Sequence, residues 1–119
     1  MHTINFFEVE QILSNFESAF SSFEKPLIAH NDSKPKPLND FVEDMRTVNQ
    51  TPMIMFAVYS PLAEMHEFVY VMKRGQTWII CLDHFSDIKS VTCRNIEFVA
   101  KYAAHTIQRH IDSYKHLSA

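Results

Sequence analysis

The residues best suited to chemistry gather in one stretch: Cys81, Asp83 and His84, with Cys93 a little further on. A Cys-x2-His spacing seeds a zinc site when two further ligands complete a tetrahedron, here Cys93 and one of His105 or His110. His105 and His110 are five positions apart and leave a helix on different sides, so one at most joins. The second Cys-x2-Cys or His-x3-His half is missing, and the expectation is no bound metal or other cofactor. The same residues suggest a thiolate nucleophile with its base. Positions 81 and 84 are three apart and point to opposite faces of any strand that runs through both. No glycine-rich turn is available to expose a nucleophile or to line up backbone N–H groups as an oxyanion hole.

Weaker constellations lead to the same place. Glu64 and Glu67 flank His66, an acid/base pairing on paper, but carboxylates in an alternating strand read first as exposed edge charges. The single glycine, Gly75, removes the usual phosphate-loop and dinucleotide fingerprints, which need several for close backbone approach. Lys73, Arg74, Lys101 and Arg109 are the best basic set, without an aromatic-interleaved motif, so nucleic acid is not an expected partner. The phenylalanine-rich first helix carries Glu8, Glu10, Glu17 and Glu24 on its polar side, which an anionic membrane would repel.

The chain around these residues has 119 positions, 46% hydrophobic and 21% charged, with a net charge of -3. That suits one globular domain spanning 1–119. Charge is divided unevenly: residues 1–50 carry Lys25, Lys34, Lys36 and Arg46 against eight acidic residues, whereas the remainder is nearly balanced. Two cysteines are too few for a disulfide framework and no leader pattern opens the chain, so the expected location is the cytoplasm with both thiols reduced. The longest apolar run, Met53 to Tyr59, is far below the roughly 20 residues of a spanning helix and reads as a buried strand.

Phe6, Val9, Leu13, Phe16, Phe20 and Phe23 recur every three or four residues and predict one continuous helix. Asn5 and Glu8 form a capping box at its start and Pro26 ends it. Residues 30–37 read as a loop, and Phe41, Val42, Met45 and Val48 mark a second helix starting at Asn39 or Asp40. Three strands follow: Met53–Tyr59, Glu67–Met72 and Thr77–Leu82. A tight turn at Arg74-Gly75 sets Val71 opposite Trp78 and Val69 opposite Ile80 if the loop has two residues, and a bulged loop shifts this register by one. Residues 83–94 are ambiguous between helix and loop. Asn95 then caps a final helix with Ile96, Val99, Ala100, Ala103, Ile107, Ile111 and Tyr114 on one face. The expected fold is α+β: two N-terminal helices, a three-stranded antiparallel β-meander, and a long C-terminal helix packed on the sheet. A sheet has two faces, so the first helix is free to cover the one that the last helix leaves open.

With no catalytic constellation, the leading expectation is a non-enzymatic protein-binding module that covers a partner's site, as an inhibitor, an immunity or anti-defence factor, or an adaptor. Phe7 lies off the helical stripe, and Glu10, Glu17, Glu43 and Asp44 surround it with negative charge. These five are the candidate partner-binding residues, suited to a protein with a basic surface or to a homodimer. The alternative is a small Cys/His-dependent enzyme or zinc protein using Cys81, His84 and a histidine of the last helix.

Overall fold

The structure, a computed structural model, describes residues 3–31, 33–82 and 90–117. Strand β1 (Ile4–Asn5) leads into α1 (Phe6–Leu13) and the single-turn α2 (Phe16–Ala19). Then come β2 (Leu27–His30), α3 (Leu38–Val48), β3 (Gln50–Thr51), β4 (Met53–Ser60), β5 (Met65–Arg74), β6 (Thr77–Leu82) and β7 (Ser90–Cys93). A 3-10 turn at Ile96–Phe98 opens α4 (Val99–Leu117). Five strands form one antiparallel sheet in the order β2-β4-β5-β6-β7, and β1 pairs separately with β3. The fold is therefore mixed α+β. Among the described residues no helix is long and apolar enough to cross a membrane.

The core identifies which side of the sheet is covered. Ile28, Ile54, Phe56, Val58, Val69, Val71, Trp78, Ile80 and Cys93 pack in one cluster with Val9 and Ile12 of α1, Phe16 of α2, Phe41 and Met45 of α3, and Val99, Ala103 and Ile107 of α4. The strand registers, such as Ile28↔Phe56, Phe56↔Val69, Val71↔Ile80 and Trp78↔Cys93, place those strand residues on a single face. All four helices therefore lie on that inner face. The first helix does not cover the other side, because its own stripe is used against the same core as α4.

The Asn5–Glu8 capping box is present: the Glu8 N–H donates to Asn5 Oδ1 at 2.8 Å and the Asn5 N–H to Glu8 Oε1 at 3.2 Å. The continuous helix is not. It breaks after Leu13, where Ser14 Oγ donates back to the Gln11 carbonyl and Asn15 Nδ2 donates to the Glu97 carbonyl. Short polar side chains that satisfy backbone groups locally compete with helix continuation. The stripe survives the break, since Phe16 and Phe20 stay buried with ring centroids 5.7 and 5.0 Å from Phe56. Burial of each such ring stabilises by about 1.5–3 kcal/mol.

The expected two N-terminal helices followed by three strands also need correction. Strand β2 intervenes between α2 and α3 and joins β4, and β7 in the ambiguous stretch joins β6, which raises the sheet from three strands to five. Each added strand has four residues, too few for a period to declare itself. The edge of β2 is closed by Lys36, whose N–H and C=O both bond to Ile28 at 2.8 Å, with Pro35 and Pro37 on either side. The β5–β6 loop is Gly75-Gln76, one residue later than expected, so Val71 faces Ile80 and Lys73 faces Trp78. Gly75 has φ +60 and Gln76 does not share the left-handed region, the pattern of a type II′ turn with glycine at its first position. The pairing moves by two residues and keeps every side chain on its predicted face.

Asn95 caps the 3-10 turn that precedes α4, with its side chain accepting the Glu97 N–H at 3.0 Å. Ala100 and Ala103 are fully buried and let α4 approach the sheet closely.

Candidate functional site

Because α1 turns Val9, Ile12 and Leu13 inward, Phe7, Glu10 and Ser14 face outward, and Phe7 is 66% exposed. Helix α3 packs beside α1 and the two enclose a groove of about 390 Å3, lined by Glu10, Leu13 and Ser14 from one side and by Leu38, Val42, Glu43 and Arg46 from the other. The floor is apolar and the rim carries two carboxylates. Arg46 Nη1 donates to Glu43 Oε1 at 2.8 Å and its guanidinium lies 5.8 Å from the Phe6 ring centroid, so one acidic position on the rim is internally compensated. Glu17 lines a neighbouring apolar hollow of about 420 Å3 with Phe16, Phe20, Phe23, Pro26 and Leu27; Leu38 is common to both.

Asp44 leaves α3 on a different side. Its Oδ2 accepts from Lys36 Nζ at 3.0 Å and stands 3.2 Å from His30 Nε2. The hydrogen bond from Lys36 is the main reason its carboxyl is held below the ordinary range, with partial desolvation opposing and His30 assisting. Of the five predicted partner-binding residues, then, the fold brings Glu10 and Glu43 to one groove, leaves Phe7 exposed on the outward side of α1 and outside the groove's lining, sets Glu17 in the adjoining hollow, and turns Asp44 back onto β2.

The Cys/His set is dispersed. Cys93 opposes Trp78 on the inner face, whereas Cys81 opposes Ser90 on the outer one, so the two buried thiols are separated by the sheet and cannot share a tetrahedral ion. His110 belongs to the helical side with Cys93, and His105 is exposed. Asp83 and His84 lie outside the described residues.

Glu67 corrects the reading of an exposed edge charge. It shares the parity of Val69 and Val71, points inward, and is buried beneath α4. His110 Nε2 stands 3.4 Å from Glu67 Oε2 and 3.0 Å from the Tyr114 hydroxyl. Burial, followed by the charge and hydrogen bonding of Glu67, pushes the Tyr114 hydroxyl above its ordinary range. The hydroxyl of Ser60, on the neighbouring strand, is buried without a hydrogen-bond partner among the described residues, so it is not joined to His110 as a nucleophile to its base. The alternation of β5 would have revealed the burial of Glu67; its charge argued the other way.

The face of the sheet away from the helices differs in kind. The registers place Leu27, Ala29, Met53, Met55, Ala57, Tyr59, Phe68, Tyr70, Met72, Ile79 and Cys81 there, and none of them belongs to the core cluster. Among the described strand residues this face carries no carboxylate; His66 and Arg74 stand at opposite ends of β5.

Comparison of the chain with protein-family models, with curated proteins and with solved structures finds no match.

Proposed function

We propose that this chain is a small non-enzymatic protein-binding module that acts by covering a basic site on a protein partner, in the manner of an inhibitor, an immunity or anti-defence factor, or an adaptor. The observation that carries the reading is the groove between α1 and α3, where Leu13, Leu38 and Val42 lie with the carboxylates of Glu10 and Glu43; the exposed ring of Phe7 on the outward side of α1 supports it. A large exposed apolar side chain is a common anchor of a protein interface, and the carboxylate of Glu10, which Arg46 does not pair, would favour encounter with the opposite charge. The groove has the dimensions to admit one or two side chains of a partner, with a lysine or arginine reaching Glu10. The separation of Cys81 from Cys93 and His110 weighs against the Cys/His enzyme or zinc protein.

The test is co-purification with the full chain from the cells that make it, in low salt and again in about 1 M salt, where screening shortens to about 3 Å. One stoichiometric basic protein is expected, released by salt. It should be lost with Phe7→Ala and held about tenfold less tightly with the double reversal Glu10→Lys and Glu43→Lys, a change of about 1.4 kcal/mol. Folded variants that capture the same protein unchanged would sink the reading.

A further inference from the structure

We infer that the outward side of α4 is a second binding surface, one that takes single-stranded nucleic acid, with phosphates on unpaired cations and bases on two exposed aromatic rings. The surface is separate from the α1–α3 groove, and the inference does not rest on that groove. Val99, Ala100, Ala103, Ile107 and Ile111 turn one side of α4 into the core. On the opposite side stand Lys101, Tyr102, His105 and Arg109, in line with Phe98, which closes the 3-10 turn at the head of the helix. Spacings of three and four residues put all five on one face. Each is exposed, Phe98 to 47% and Tyr102 to 41%.

Two features separate this stripe from an ordinary solvated face. The first is charge. Lys36, Arg46 and Lys73 each meet a carboxylate, at 3.0, 2.8 and 2.6 Å. Lys101, Arg109 and the exposed Arg94 ahead of the 3-10 turn make no ion pair among the described residues. From Phe98 to Ile111 the sequence has no acidic residue, in a chain whose net charge is -3. Glu97 and Asp112 bound the stripe, and Asp112 Oδ1 accepts from Gln108 Nε2 at 2.9 Å. The second feature is the order of residue types. Lys101, His105 and Arg109 follow one another at intervals of four, about 6 Å along the helix, and Phe98 and Tyr102 repeat that interval beside them. Basic side chains running beside aromatic rings match an extended strand, whose phosphates and bases recur together along its length. Stacking on a ring tolerates any base, so the surface reads no particular sequence. A duplex hides the faces of its bases and leaves the rings unused. An anionic membrane needs an apolar helix face to insert, and that face of α4 is in the core. An acidic protein segment would meet the cations and give the rings nothing to stack on. The expectation against nucleic acid counted Lys73 and Arg74 in the basic set. Lys73 is bound to Glu8, and the rings that accompany Lys101 and Arg109 join them through the helical period.

Fluorescence anisotropy of labelled oligothymidylate and oligouridylate, each of about 20 nucleotides, tests this with the full chain at about 50 mM salt. Saturable, comparable binding of both strands in the micromolar range is expected. Contacts from Arg94, Lys101 and Arg109 at about 0.7 each predict a slope of about -2 for log affinity against log salt. Phe98→Ala and Tyr102→Ala should each weaken binding about tenfold, and Arg109→Gln should flatten the slope by about 0.7. All three positions are exposed, and circular dichroism verifies that the variants fold. Lys34→Gln removes the same charge from the exposed loop between β2 and α3 and should leave binding unchanged. No anisotropy change at about 100 μM protein would overturn the inference. So would ring variants that bind as tightly as the parent, or an equal loss with Lys34→Gln. Competition by polyglutamate, by a duplex of the same length or by anionic vesicles as effective as that of the unlabelled strand would overturn it too, because the surface would then answer to negative charge alone.

Discussion

The two faces of the sheet are built from the same kinds of residue and treated in opposite ways. On the inner face three polar residues are committed to the helices, Ser60 being buried without a hydrogen-bond partner among the described residues. His30 on β2 reaches Asp44 of α3, Glu67 on β5 reaches His110 of α4, and Lys73 on β5 reaches Glu8 of α1 at 2.6 Å. Each of the three longer helices is thus tied to the sheet by one strand residue that points into an otherwise apolar layer. The outer face has apolar residues of similar size, such as Met53, Met55, Phe68, Met72 and Ile79, that lie outside the core cluster, with His66, Arg74, Thr77, Ser90 and Thr92 on the same side. Burial on the inner side fixes the architecture.

The sharpest way to separate the faces is to remove one large side chain from each of two adjacent positions on β4. Phe56→Ala deletes a ring held against Phe16 and Phe20 and should cost about 3–5 kcal/mol in chemical denaturation. Met55→Ala, its neighbour on the outer side, should cost less than about 1 kcal/mol when measured in dilute protein. Equal losses would erase the distinction between the faces. Near-zero loss at Phe56 would displace the core from where the packing puts it.

Glu8 ranks next, because one carboxylate completes the cap of α1 through Oε1 and binds Lys73 through Oε2. Lys73 also lies 5.7 Å from the Trp78 ring centroid, so losing its partner leaves an ammonium over an apolar layer. Glu8→Ala should therefore cost about 1–3 kcal/mol, more than a cap alone. Lys73→Met, which keeps the stem and removes the charge, should recover part of that loss in the double variant. Strict additivity of the two would mean that the pair contributes nothing to holding α1 on the sheet.

How far the sequence foretold this arrangement depends on how local each signal is. The capping box at Asn5 and Glu8, the apolar stripes of α3 and α4, and the hairpin at the only glycine were all written within a few neighbouring residues. Strands β2 and β7 were not, since four residues beside a proline or within a polar stretch acquire strand geometry only from the strand they join. The break at Ser14-Asn15 depends in part on Glu97, which accepts from Asn15 across the fold. Phe7 was legible as an exposed residue off the stripe, whereas the meeting of Glu10 and Glu43 at one groove required the packing of α1 on α3. Asp44 shows the converse: its charge was visible, and its engagement by Lys36 and His30 was not.

A smaller effect probes the hairpin that sets the parity of β5 and β6. A Cβ at Gly75 would meet nothing within 4 Å, so space is not the constraint there; the φ of +60 is. Gly75→Ala should cost about 1 kcal/mol, the penalty of the left-handed region for an ordinary residue. Thermal unfolding should show this as a small shift of the midpoint with unchanged secondary structure. A variant as stable as the parent would mean that the loop adopts another turn and that the alternation of the two faces is not pinned at this point.

The finest test concerns the tie between α3 and β2. Lys36, and after it His30, hold Asp44 below the ordinary carboxylate range against partial desolvation. A carboxyl with a lower value in the folded chain than in the unfolded one favours folding wherever the unfolded group is ionised. Its contribution is complete above about pH 5, begins to fade as the unfolded group takes up protons near pH 4, and is gone once the folded group is protonated as well. The stability difference between the parent and Asp44→Asn, from urea titrations, should therefore be present at neutral pH, shrink on acidification below about pH 4, and vanish at the acid end. The effect is small because Asp44 and Lys36 are each about one third exposed and water screens them. Its direction is what matters. A difference that grew on acidification, or stayed level across the range, would show that Asp44 is not held by Lys36 in solution. The carboxylate would then rejoin Glu10 and Glu43 as a free charge on the helical side, and the inner face would lose one of its three ties.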